Sequence, residues 1–119
     1  MGIDIHAQLE LASDPHGASS VSAARFDVRR DYELFDLLAG GRSDDPDDAV
    51  VPVRRFRHPG ATEIDPRSTW VWRDELAQVM DAYRRSRGVA CEDLATMIAA
   101  MDRINGDDPR RCRAAFWFF

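Results

Sequence analysis

The chain has 119 residues, the size of one compact domain, which leaves no room for two independent cores. Leucine, isoleucine, valine and phenylalanine supply 26 of them, enough for a modest core and just above the range where disorder becomes the default. All 16 basic residues are arginine, a usage that a GC-rich coding genome produces, and they face 21 acids. The resulting net charge of −5 disfavours direct nucleic-acid binding, where phosphate neutralisation dominates affinity, and suits a basic surface on another protein.

Cys91 and Cys112 are too few for a disulfide framework and lack metal-ligand spacing, so they read as reduced thiols of a cytoplasmic protein. No stretch approaches the ~20 apolar residues of a membrane span. The opening MGIDIHAQLE carries no basic and apolar leader pattern, which predicts no export signal. The Met1-Gly2 start has His6 where myristoylation wants Ser or Thr.

Residues 3–11 alternate between apolar (Ile3, Ile5, Ala7, Leu9, Leu11) and polar (Asp4, His6, Gln8, Glu10), the signature of a half-buried strand. Turn chemistry follows at Ser13–Gly17, and residues 20–28 read as a second strand, antiparallel to the first across a short connection. Asp31 is placed to cap a short helix, Tyr32 to Ala39, that Gly40-Gly41 stops. Residues 42–49 form an acidic, flexible loop whose carboxylates repel one another. Residues 50–57 are expected as a strand that Pro52 pushes to an edge, and 58–67 as irregular chain.

Ser68–Trp72 is a short extended segment leading into a helix over about 74–87. There Leu76, Val79, Met80 and Tyr83 form an apolar stripe, and Gly88 ends it. A further helix covers roughly 92–105, with Leu94, Met97, Ile98, Met101 and Ile104 on one side. Cys112 to Phe118 reads as a final strand. The order β-β-α-β-(β)-α-α-β predicts an α+β fold: a small, mainly antiparallel sheet with about three helices packed largely on one face, as a single domain over 1–119.

Several of these segments resemble a group of small proteins encoded by tailed bacteriophages and prophages. The opening Gly2-Ile3-Asp4-Ile5-His6 is similar to that group's start. Arg30-Asp31-Tyr32-Glu33-Leu34-Phe35-Asp36-Leu37-Leu38-Ala39-Gly40 resembles its Arg-x-Tyr-x-Leu-Phe-x-Leu-Leu-Ala-Gly segment. Ser68-x-Trp70 and the ending Phe116-Trp117-Phe118 are similar as well. The likeness covers the two ends and the early helix and leaves the middle unmatched. It implies a phage origin and action in the bacterial host cytoplasm. This chain departs from the group at Asp65-Pro66-Arg67, where relatives often carry His, and at Phe119, where they often end in Asp or Asn. If those positions form a polar site, this copy has lost or altered it.

Two candidate ligand regions follow from the residues. Asp4 and His6 share the polar side of the first strand, about 7 Å apart by strand geometry, and with Arg30 and Tyr32 they would make a polar pocket. There the imidazole would serve as general acid/base, the carboxylate would orient it, and Arg30 would hold phosphate. A metal would need further ligands from His16, His58 or Asp65, and none is expected. The plain alternative is a solvent-facing polar strand. Arg55, Arg57 and His58 belong to a cationic stretch, with Arg54, that suits phosphate or carboxylate, or else protects an edge strand with charge.

For a protein partner, the candidates are Asp44, Asp45, Asp47 and Asp48, which imitate a run of phosphates, and the aromatics Trp70, Trp72, Trp117 and Phe119. Residues 116–119 cannot all be buried on one sheet face, so some aromatic belongs at a second contact, which a homodimer would hide. No serine lies in a nucleophile motif, and neither cysteine has a His at informative spacing.

The leading expectation is therefore a phage-encoded, non-enzymatic protein without cofactor. It would bind a host protein or complex and inhibit a defence component, in the manner of an anti-CRISPR or another counter-defence protein. The competing expectation is nucleotide binding or processing at the Asp4, His6, Arg30, Tyr32 pocket.

Overall fold

The computed structural model describes residues 4–12, 20–40, 49–58 and 60–118. Four strands and three helices follow one another as β1 (Ile5–Ala12), β2 (Ser20–Val28), α1 (Tyr32–Ala39), β3 (Ser68–Val71), α2 (Arg73–Arg87), α3 (Glu92–Asn105) and β4 (Cys112–Phe118). The strands form one antiparallel sheet in the order β2-β1-β4-β3. This is the α+β architecture expected from the alternation of strand and helix periods.

The sheet has two differently built sides. Ile5, Ala7 and Leu9 of β1 meet Phe118, Phe116 and Ala114 of β4 in register, and together with Val71 they face the helices. Leu34, Phe35 and Leu38 of α1, Leu76 and Val79 of α2, and Leu94, Met97 and Met101 of α3 close this layer, all buried. Each such side chain contributes about 1.5–3 kcal/mol by leaving water. Phe35 stacks on Phe118 with centroids 4.4 Å apart, which joins α1 to the sheet centre.

The helix ends follow local chemistry. The Asp31 Oδ1 accepts from the Glu33 amide at 2.9 Å, satisfying one of the free donors at the start of α1. Gly40 takes φ of 83°, a left-handed conformation that closes the helix by sending its own amide back to Asp36 and Phe35. Glu75, third residue of α2, accepts from the Trp72 amide at 2.9 Å.

The expected strand over 50–57 does not form. Residues 54–56 instead run beside the outer edge of β3, tied to it by side chains. The Arg54 amide donates to Thr69 Oγ1 at 3.1 Å and the Phe56 amide to Ser68 Oγ at 2.9 Å. The Arg54 and Arg55 guanidiniums donate to the carbonyls of Trp70 and Ser68, at 3.2 and 3.0 Å. Hydroxyls and guanidiniums thus take the places that a backbone ladder would occupy, and Pro52 has no amide to offer one.

Candidate functional site

The side of the sheet turned away from the helices carries most of the chemistry singled out above. Register sets its rows. Asp27, His6, Trp117 and Ser68 lie abreast across all four strands, then Arg25, Gln8, Ala115 and Trp70, then Ser22, Glu10 and Arg113. The expected solvent-facing polar side of the first strand is open only at its start: Asp4 is exposed and His6 half-buried, whereas Gln8 is 3% and Glu10 6% exposed. Arg113 Nε donates to Glu10 Oε1 at 2.8 Å, Gln8 donates to Glu10 Oε2, and Ser22 donates to Gln8 at 3.3 Å. The charge is buried as a hydrogen-bonded pair, the form in which burial is tolerated.

Beside that pair lies an arginine–tryptophan layer. The Arg113 guanidinium sits 4.6 Å from the Trp70 ring and Arg54 sits 4.4 Å from it, while Arg110 lies 4.8 Å from Trp72. Trp70 and Trp72 meet edge to face at 5.0 Å. The two terminal Arg54 nitrogens donate to the Glu75 carboxylate, at 2.7 and 2.9 Å. Glu75 therefore serves α2 as a cap and the opposite layer as a counter-ion.

At the other end, Trp117 runs parallel to two imidazoles, His6 at 5.7 Å from the β1 flank and His58 at 5.4 Å from the β3 flank. Phe56 meets it edge on, and the Arg25 guanidinium is 5.8 Å away. His58 Nε2 lies 3.2 Å from Asp65 Oδ2, and the Asp65 amide donates to the Phe56 carbonyl at 3.0 Å.

Of the expected pocket residues, the structure joins Asp4 to Arg30 and stacks His6 on Trp117. Asp4 accepts from Arg30 at 2.6 Å, a pair more than half exposed on both sides. Tyr32 opens α1 and is half-buried. His6 lies against Trp117, and the cleft beside it, about 300 Å³, is walled by Ile5, His6, Ala7, Arg25, Phe26 and Asp27. The imidazole thus looks onto β2 residues that sequence reasoning had passed over; the hairpin register, once assigned, would have paired His6 with Asp27. Of the cationic stretch, Arg55 is half-buried against β3, Arg57 is exposed, and His58 belongs to the Trp117 cluster. Among the described residues, no three His, Cys, Asp or Glu side chains gather into a metal site.

The aromatic partner candidates are corrected by burial. Trp70, Trp72 and Trp117 are 8, 5 and 3% exposed, so they are not surface anchors. The second contact demanded by the Phe-Trp-Phe ending is made within the chain, by Phe56 and His58, and needs no second copy. Asp44, Asp45, Asp47, Asp48, Phe119 and His16 lie outside the described residues.

A second cleft, about 320 Å³, opens between the start of α1, the end of α2 and the start of α3. Asp31 organises it, accepting from Tyr83 Oη at 2.8 Å with Arg87 at 3.6 Å. That hydrogen bond, aided by burial, raises the Tyr83 pKa above its ordinary value. Burial likewise raises the Cys91 thiol, and pushes Cys112, enclosed beneath the sheet, up to about 11. Neither cysteine is poised as a thiolate nucleophile.

No helix among the described residues is long and apolar enough to cross a membrane. Comparison with protein-family models, with curated proteins and with solved structures finds no match.

Proposed function

We propose that the chain is a non-enzymatic interaction protein of phage origin, acting in the bacterial host cytoplasm. It binds a host protein with a basic surface and blocks a defence component, as an anti-CRISPR or another counter-defence protein does. One observation carries this reading. Among the described residues the buried carboxylates are matched with arginines, Glu10 with Arg113 and Glu75 with Arg54, so the enclosed layer contributes nothing to the chain's net charge of −5. A net negative charge on a small protein steers association with a basic partner and repels nucleic acid. The phage-like segments of the sequence supply the biological setting.

The pairings also weigh against the nucleotide-pocket reading, since Arg30 is engaged by Asp4. Immobilised protein offered to host lysate, and then to the purified retained component, should capture a basic protein whose affinity falls steeply as salt rises. Failure to retain any component, or a melting temperature raised by nucleotides and unchanged in His6→Ala, would contradict the proposal.

A further inference from the structure

We infer that the outer edge of β2 is a self-complementary docking strand, which pairs antiparallel with β2 of a second copy about a two-fold axis at Phe26. The inference does not depend on the functional reading above. It follows from where the backbone groups of β2 point.

The Phe118 amide donates to the Arg67 carbonyl, so even-numbered residues of β4 bond towards β3 and odd-numbered ones towards β1. The Ala12 amide donates to the Arg111 carbonyl, so even-numbered residues of β1 bond towards β4 and odd-numbered ones towards β2. Ile5 faces Val28 and Ala7 faces Phe26, which makes Val28 and Phe26 the residues bonded to β1. The amides and carbonyls of Arg25, Asp27 and Arg29 therefore point away from the sheet. Arg29 bears this out, since its amide donates to Asp93 Oδ2 of α3 at 2.9 Å.

Asp93 closes the edge at Arg29, and a bulge opposite Leu9 and Glu10 breaks the register beyond Ala24. Among the described residues, what remains is a window from Arg25 to Asp27, with both ends exposed and Phe26 half-buried against the core. A closed edge of this kind would need no such open centre.

Charge selects one register for that window. Centring the pair on Arg25 sets two guanidiniums opposite each other, and centring it on Asp27 sets two carboxylates opposite. Centring it on Phe26 sets Arg25 opposite the second copy's Asp27 twice over, each as a hydrogen-bonded pair with both side chains on the sheet face that bears His6. Phe26 then meets its own copy on the helix side. Two four-stranded sheets become one of eight, and the clefts beside His6, each walled by Arg25, Phe26 and Asp27, come to flank the axis. The contact is short, so association belongs to the weak end of the protein–protein range.

Sedimentation equilibrium into the millimolar range tests this. R25D gives the window two carboxylates and D27R gives it two guanidiniums, so each should weaken self-association by about tenfold or more. The double swap R25D/D27R should restore it. An equimolar mixture of R25D and D27R should form the mixed dimer that neither forms alone. In the unsubstituted protein, amide exchange at Arg25 and Asp27 should slow with concentration while that at Phe26 stays constant, a readout that does not require either variant to fold. A monomer at every concentration overturns the inference. So does a dimer indifferent to the single swaps, a loss that neither the double swap nor the mixture repairs, or exchange at Arg25 and Asp27 that ignores concentration.

Discussion

The two sides of the sheet use the same four strands and solve the burial problem in opposite ways. Towards the helices, Leu9, Phe116 and Phe118 belong to the apolar cluster and reach 0% exposure. On the other side, Glu10, Arg113 and Trp70 are nearly as enclosed, at 6, 6 and 8%, but each is held by a directional partner. A layer of the first kind tolerates changes of shape if volume is kept. A layer of the second kind does not tolerate the loss of one member, because the remaining charge is stranded away from water. This side is therefore a second, polar core, and its charged residues act structurally.

The largest test of that contrast removes half of the buried pair. Glu10→Ala or Arg113→Ala should cost about 3–5 kcal/mol in urea unfolding, as much as a large apolar truncation on the helix side. Replacing both residues by apolar groups of similar volume should recover most of that loss. An additive double substitution would show that the two layers do not differ as described.

Alkaline titration should come next in size. Burial raises the Cys112 thiol from 9.0 to about 11, so the folded state holds its proton more tightly than the unfolded chain does. The associated stability is whole below pH 9 and is lost as pH rises through about 11, by about 2–3 kcal/mol. Cys112→Ala should flatten that dependence. Tyr83, raised above its ordinary value by its hydrogen bond to Asp31, adds a loss of the same sign.

Asp31→Ala should cost about 2 kcal/mol, combining a lost helix cap with a lost hydrogen bond to Tyr83. A matching cycle with Tyr83→Phe should be non-additive. At the small end, Asp4→Asn removes an exposed pair with Arg30 and should change stability by less than about 1 kcal/mol. A larger effect would mean that Asp4 belongs to the polar core after all.

The apolar core was legible because its signal is periodic. Alternation along β1 and β4, and stripes at helical spacing in α2 and α3, placed those elements within a residue or two of where they lie. The caps at Asp31 and Gly40 were legible for the same local reason. The polar core was not, because its partners are remote in sequence and irregular in conformation. Glu10 and Arg113 are 103 residues apart, and nothing in either neighbourhood announces the other. Residues 50–57 read as a strand, yet Arg54 and Phe56 bond to β3 through the Thr69 and Ser68 hydroxyls, which no backbone periodicity encodes. Asp4 and His6 were read together because strand alternation puts them on one side. Alternation does not reveal that Arg30 takes the one and Trp117 the other.

All three tryptophans of the chain lie in the polar core, so tryptophan emission, excited where Tyr32 and Tyr83 do not absorb, reports on that side alone. Acrylamide quenching of the native protein is thus the most direct measure of whether this side is sealed. Blue-shifted emission, with a quenching slope far below that of the urea-unfolded chain, is the predicted result. Red-shifted emission, quenched as readily as in the unfolded chain, would mean that Trp70, Trp72 and Trp117 are open to solvent and that the polar face is a binding surface rather than a core.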